Sequence, residues 1–154
     1  MSAAGIILTG NTLPATSPEA LEQIAAVQTV LMRAEQIGLT TEHILHGGMY
    51  ARTIHLDPEV IITGSLIKKA TMLIVNGHCE IFVGDGWAEL EGYNVIPASA
   101  GRKQIFVSRG PLAITMIFTT QAQTIREAEE EIFAEADLLL SRRQDNDTVI
   151  VTGE

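Results

Sequence analysis

The sequence predicts a mainly β protein, a barrel or sandwich with one helix before it and one after, on three observations. Between Tyr50 and Thr120, short runs rich in Ile, Val, Thr and aromatic residues are separated by glycines and prolines. Residues 18–37 and 124–141 carry apolar side chains at helical spacing instead. No helical pattern interrupts the central runs, which argues against parallel α/β units and for a sheet packed on itself.

The first helix is announced by Pro14, Ser17 and Pro18. Either Ser17 caps it with Pro18 at the first helical position, or Thr16 caps it with Glu19 closing a capping box; the sequence is compatible with both. Leu21, Ile24, Gln28 and Leu31 share one face, widened by Ala20, Val27 and Ala34, and Gly38 can end the helix. Strands are expected near 50–56, 59–63, 71–75, 78–83, 87–90, 93–96, 104–108 and 112–119. Asn76 and Gly77 suit a two-residue type I′ turn, because both central positions of that turn need positive φ. Asp85 and Gly86 offer a second reversal. After Gln123, Thr124 and Glu127 form a capping box. Ile125, Ala128, Ile132, Ala136 and Leu139 then repeat on one face of an expected helix over 125–141. Residues 144–154 fit two outcomes, a mobile tail or an added edge strand.

At 154 residues the chain suits a single domain. Hydrophobic residues are 46% and charged residues 19%, a globular rather than a disordered balance. No apolar run approaches the roughly 20 residues that span a bilayer. The opening MSAAGIILTG lacks a basic n-region, so the expectation is a cytoplasmic protein without a secretory leader. The formal net charge is −9, with ten acidic and seven basic residues in 1–120 and nine acidic and three basic in 121–154. That balance repels phosphate backbones and argues against general nucleic-acid binding. Cys79 is the only cysteine, so no intrachain disulfide exists, and a buried inert thiol is expected.

GGMYARTI at 47–54, TG at 63–64, IVNG at 74–77 and the turn from Pro97 to Gly101, with Lys103 behind it, together resemble the cupin superfamily. More narrowly, residues 41–120 look like small single-domain cupin-like proteins found in bacteriophages and bacterial genomes. The resemblance implies a double-stranded β-helix, a jelly-roll barrel with the two helices packed outside it. It also implies dimers, and a virion component or a host factor as further candidate partners, with virion association as a second location. Cupins of the usual kind hold iron, manganese, zinc or nickel with two His and one Glu in a first motif and a His in a second. On this sequence those positions fall on Ile67, Ala70, Thr71 and Gln104, which are poor metal ligands. No histidine lies between Cys79 and Glu154, so no small shift of alignment restores the set. The expectation is therefore no metal, no other cofactor and no catalytic residue.

Of the four histidines, His43 and His46 are expected on a loop before Gly47 and Gly48, and His78 on the exposed side of the Asn76–Gly77 turn. His55 shares strand parity with Ala51 and Thr53, against Tyr50, Arg52, Ile54 and Leu56, and alternation alone does not say which parity faces inward. Lys68 and Lys69 suit either a cavity that attracts an anion or a solvated strand edge. Gly84, Asp85 and Gly86 read as a turn, and Trp87 as a face or interface anchor. Tyr50, Arg52, His55, Lys69, Tyr93 and Gln104 form the candidate cavity set for a small polar or anionic ligand.

The leading functional expectation is a noncatalytic protein-binding or assembly module of phage or prophage origin, with another copy of itself, a virion component or a host factor as the alternative targets. A metal-independent small-molecule or sugar-binding module is the first alternative. A metal-independent sugar isomerase or epimerase using donors such as Tyr50, Arg52, Tyr93, Arg102 and Lys103 is the second, and it needs an acid and a base placed across a carbon.

Overall fold

The computed structural model describes residues 12–154 apart from Asp85 and Asp145. The opening ten residues and Asp85 of the Asp85–Gly86 reversal thus lie outside the described residues. In chain order the elements are α1 (Pro18–Arg33), β1 (Thr40–His46), β2 (Met49–Leu56), β3 (Ile61–Thr63), β4 (Thr71–Phe82), β5 (Trp87–Ala98), β6 (Ile105–Thr119), α2 (Ile125–Ile132), two single 3₁₀ turns (Ala136–Leu138 and Leu140–Arg142) and β7 (Asp147–Val151).

Ser17 is the cap of α1: its hydroxyl accepts the Ala20 N–H at 3.2 Å, with Pro18 in the first turn. Thr16 has other work, since its hydroxyl accepts from Lys103 N and donates to Lys103 O, tying the helix start to residues 102–104. The helix stops at Arg33, four residues short of the expected end. Ala34 is extended, and the Gln36 amide donates to the Leu31 and Ala34 carbonyls, so a side chain rather than Gly38 completes this end.

The central expectation, a hairpin at Asn76–Gly77, is corrected. β4 runs unbroken for 12 residues, and Gly77 sits in its middle at φ +134°. There it pairs with Gly92 of β5 and Leu112 of β6. A Cβ on Gly77 would lie 2.3 Å from the Pro111 carbonyl oxygen, so the glycine serves a close crossing of backbones rather than a turn. β5 and β6 likewise run through Gly92 and Gly110–Pro111, where the sequence suggested breaks. The register slips at that line: Gly77 faces Leu112 but Cys79 faces Ser108. The excess residues on β6 make a bulge, a feature that bends the bulged strand and raises its twist.

Residues on the two sides of that line share one core: Leu73, Val75, Ile96 and Ile114 from one side pack with Cys79, Ile81, Leu90 and Phe106 from the other. A second cluster buries Tyr50, Ile67, Met116 and Phe118 against Ala128, Ile132 and Phe133.

A primed hairpin does exist, at the Gly47–Gly48 pair, where the sequence suggests a loop. Gly47 and Gly48, at φ +59° and +73°, join β1 to β2 in a two-residue turn. His43 and His46 therefore lie on a strand and not on a loop. β7 resolves the tail as an edge strand, parallel to β1. The sheet order is β5-β4-β6-β2-β1-β7, with β3 also on β6. Its outer strands β5 and β7 do not pair, so the seven-stranded sheet, with its two flanking helices, is not closed into the barrel that was expected. Leu13 instead covers part of the β5 edge, with Leu13 N donating to Pro97 O and Ser99 N to Leu13 O.

α2 begins as expected, with the Thr124 hydroxyl accepting from Glu127 N. It ends at Ile132 rather than 141 because residues 66–68 take over its backbone: Lys68 N donates to Ile132 O and Ala134 N to Leu66 O. Phe133 turns extended and buries its ring. Tertiary pairing overrides a strong helical pattern here.

The outward parity of the strands makes an apolar row. Pro97, Met72, Ile117, Ala51, Ile44 and Ile150 face one another in turn across six strands. Replacing Gly77 by Ala should lower unfolding stability by about 3 kcal/mol, through positive-φ strain and collision with Pro111, measured by urea denaturation.

Candidate functional site: an arginine-lined interior cavity

β2 points Tyr50, Arg52, Ile54 and Leu56 inward, which settles the parity question. Tyr50 is fully buried and takes part in packing: its hydroxyl is 2.7 Å from His43 Nδ1, and its ring meets Phe118 edge-on. Burial pushes the phenol well above its ordinary pKa, so it stays protonated and donates to His43. His43 Nε2 then donates to Asp147 Oδ2 at 2.9 Å, linking β2 through β1 to β7. Replacing His43 by Leu leaves Tyr50 and Asp147 without this partner. The expected cost is about 2–3 kcal/mol in chemical denaturation, with faster hydrogen exchange at Thr148–Val151.

Arg52, next on that face, meets a buried ionic network. Its Nη2 donates to Ser141 Oγ at 2.9 Å, its guanidinium stacks 5.0 Å from the Phe133 ring centre, and its Nε lies 3.9 Å from Glu129 Oε2. That Nε is buried without a hydrogen-bond partner. Glu129, only 3% exposed, accepts from Arg142 Nε at 3.0 Å, and Arg142 also reaches Asp137. One buried carboxylate thus serves two guanidinium groups.

Arg102 is buried more deeply, at 1% exposure. It donates through Nη1 to Ser99 O at 2.8 Å and through Nη2 to Thr71 Oγ1 at 2.6 Å. Burial draws its pKa down to about 10, and no carboxylate contributes to that shift. It is still a cation at neutral pH, held by neutral acceptors.

Arg52, Arg102 and Gln104 line a cavity of about 100 Å³ whose other walls include Ile54, Leu73 and Phe106. A second space of about 130 Å³ shares Arg52, Gly64, Ser65 and Phe133 and continues toward Ser141. Among the sequence candidates, Arg52 and Gln104 come together here. His55 is exposed on the outer face and paired with Glu42 at 2.8 Å. Lys69 binds Glu131 at 2.7 Å and lies over Phe118, and Tyr93 is 67% exposed on β5. Arg102, named from the sequence only among the donors for an isomerase or epimerase, is the cavity member that the candidate cavity set lacked, since no local pattern marks a fully buried arginine.

Ile67 and Gln104, two of the four positions where the resemblance places metal ligands, do line this cavity, while Thr71 is occupied by Arg102. These residues do not fit a divalent cation. They present an alkyl group, an amide and a hydroxyl, beside a fixed guanidinium charge that repels one. Elsewhere, His78 faces Glu91 across β4 and β5, and His78, Glu89 and Glu91 bring their ligand atoms within 4.8 Å of one another. His78 Nε2 is 3.3 Å from Glu89 and 3.5 Å from Glu91. This outer-face trio could hold a metal. The expected turn had left His78 isolated; the unbroken strand pairing supplies its neighbours. Cys79 is fully buried, and burial, with Glu80 nearby, pushes its thiol up to about 11, which keeps it from acting as a thiolate.

No family model and no curated protein matches the chain. Among solved structures it is similar to a conserved protein of unknown function from Streptococcus pyogenes, with 18% identity over 57% of this chain and 79% of that one, TM-score 0.41. It is also similar to a cupin superfamily protein from Desulfitobacterium hafniense, with 13% identity over 60% of this chain and 86% of that one, TM-score 0.45. A third is the cupin_2 domain of an XRE family transcriptional regulator from Enterobacter cloacae, with 10% identity over 56% of this chain and 100% of that one, TM-score 0.44. These are partial likenesses, and none of them assigns a role to a residue of this chain.

Removing Glu129 as Ala should be among the most damaging single changes near the cavity. It leaves Arg52 and Arg142 without their shared counter-charge, at a cost of about 3–5 kcal/mol read from thermal or chemical unfolding.

Proposed function

We propose that the protein is a noncatalytic assembly module whose partner is a second copy of itself, docked through the outer face of the sheet. The observation that carries this reading is the six-strand apolar row from Pro97 to Ile150. Met72 is 43% exposed, Ile44 39% and Ile150 49%, and Val95, at 49%, extends the patch in the next row beside Ile74. Contiguous exposed apolar surface of this kind marks an interaction site more often than chance surface composition does. No charged side chain interrupts the row, and Glu42, in the neighbouring row with Ile74 and Val95, is paired with His55 at 2.8 Å.

The noncatalytic reading draws support from the cavity lining. The wall of the smaller space holds no His, Tyr, Cys, Lys, Asp or Glu among the described residues, and the adjoining space adds one carboxylate, Glu135, which Lys103 pairs at 3.4 Å, so Arg52, Arg102 and Gln104 offer no acid and base pair at neutral pH. The acidic balance of the chain favours a protein partner over nucleic acid. Among the described residues no helix is long and apolar enough to cross a membrane.

Sedimentation velocity across micromolar concentrations tests the proposal. A dimer is expected, and the pair Ile44→Glu with Met72→Glu should convert it to monomer with at least a tenfold weaker dimerisation constant and unchanged secondary structure. A wild-type protein that stays monomeric over the range, or a dimer indifferent to both substitutions, would refute docking through this face.

A further inference from the structure

We infer that the interior cavity between Arg52 and Arg102 is a binding site for a small carboxylate with a short apolar body. Arg102 is a fully buried guanidinium with no carboxylate within 4.0 Å among the described residues; its acceptors are the Ser99 carbonyl, the Lys69 carbonyl and the Thr71 hydroxyl. Neutral acceptors satisfy its hydrogens but leave its charge in a low-dielectric surrounding, where an anion gains most. Arg52, on the same cavity, shares its one buried counter-charge, Glu129, with Arg142, and Glu129 reaches Arg142 more closely, at 3.0 Å against 3.9 Å. The cavity wall therefore carries two positive charges, and the one buried carboxylate near them, Glu129, lies beside Arg52 and is shared with Arg142, which also pairs with Asp137 and Glu130.

Shape and polarity narrow the class. About 100 Å³ admits a few heavy atoms, and most of the wall is apolar, supplied by Ile54, Leu73, Phe106, Ile114 and Met116. A carboxylate can turn its two oxygens to a guanidinium and lay a short hydrocarbon against these side chains. Phosphate would need acceptors and donors on all sides, which this wall lacks. Gln104 adds an amide to the polar end, and Gly64 and Ser65 connect the cavity with the neighbouring space that reaches Ser141.

Isothermal titration with sodium butyrate, with butyramide and inorganic phosphate in parallel, tests this on the intact protein. Saturable one-to-one binding of butyrate is expected, with a raised Tm, at least tenfold tighter than butyramide or phosphate. Arg52→Gln should weaken butyrate at least tenfold. Because that change also touches Glu129, Gly64→Leu is the second variant: Gly64 lines both spaces, and a Cβ there would meet no heavy atom within 4 Å, so the backbone accepts a side chain at this point of the shared lining. It should abolish binding with both arginines in place and an unchanged circular dichroism spectrum. No butyrate binding, equal binding of butyramide, preference for phosphate, or binding that survives Gly64→Leu would each overturn the inference. Neither variant lies on the apolar outer row, so the oligomeric state tests the assembly reading independently of the cavity.

Discussion

Three backbones cross at one line, where Gly77 of β4 lies between Gly92 of β5 and the Pro111–Leu112 step of β6. With the Pro111 oxygen 2.3 Å from where a Cβ would stand, only glycine lets the strands approach this closely. The crossing lets strands of 12, 12 and 15 residues run through instead of ending in separate hairpins. Everything further in depends on it. Across that line Leu73 and Val75 share a core with Ile81 and Phe106, and the residues between Thr63 and Thr71 are left to wrap the cavity mouth and capture the end of α2.

The charged interior follows from that packing. α2 stops at Ile132 because its last carbonyl is taken by Lys68, and the chain then doubles back through two short turns that set Ser141 and Arg142 beside Arg52 and Glu129. A full-length helix over 125–141 would have carried those groups elsewhere. Buried ionic groups of this kind are weak evidence for stability, since desolvation offsets much of their attraction. The setting of Arg102 is more informative, because a buried cation held only by neutral acceptors beside a cavity marks a place where an anion lowers the free energy.

Strands are legible in this sequence by composition and turns by dipeptide, and the two signals differ in reliability. Ile, Val and Thr enrichment locates β2, β4, β5 and β6 within a few residues, because β-branched side chains suit any half-buried pleated surface. Asn76–Gly77 fails as a turn signal because positive φ has two uses, reversal and close approach, and a dipeptide does not distinguish them. The reverse error hides β1: His43 and Thr41 occupy buried positions that polar residues seldom fill, so the alternation of exposed and buried side chains along Thr40–His46 leaves no apolar pattern to mark a strand. Of the cavity, Arg52 and Gln104 are legible from the motif frame. Arg102 is not, since its burial depends on Ser99, Lys69 and Thr71 being folded around it.

By itself the sequence determined the β-rich centre, the helix starts at Ser17 and Thr124 within a choice of one neighbouring cap, the absence of an intrachain disulfide, and the absence of any histidine after His78. These rest on φ preferences, side-chain chemistry and periodicity inside a window of a few residues. Tertiary structure alone decided that β4 passes straight through Gly77, that Tyr50 and Arg52 face inward, that α2 ends at Ile132, that β7 joins β1 and that the sheet stays open. Each of these is a choice between partners tens of residues apart, settled by which backbone groups find each other once the apolar faces are buried.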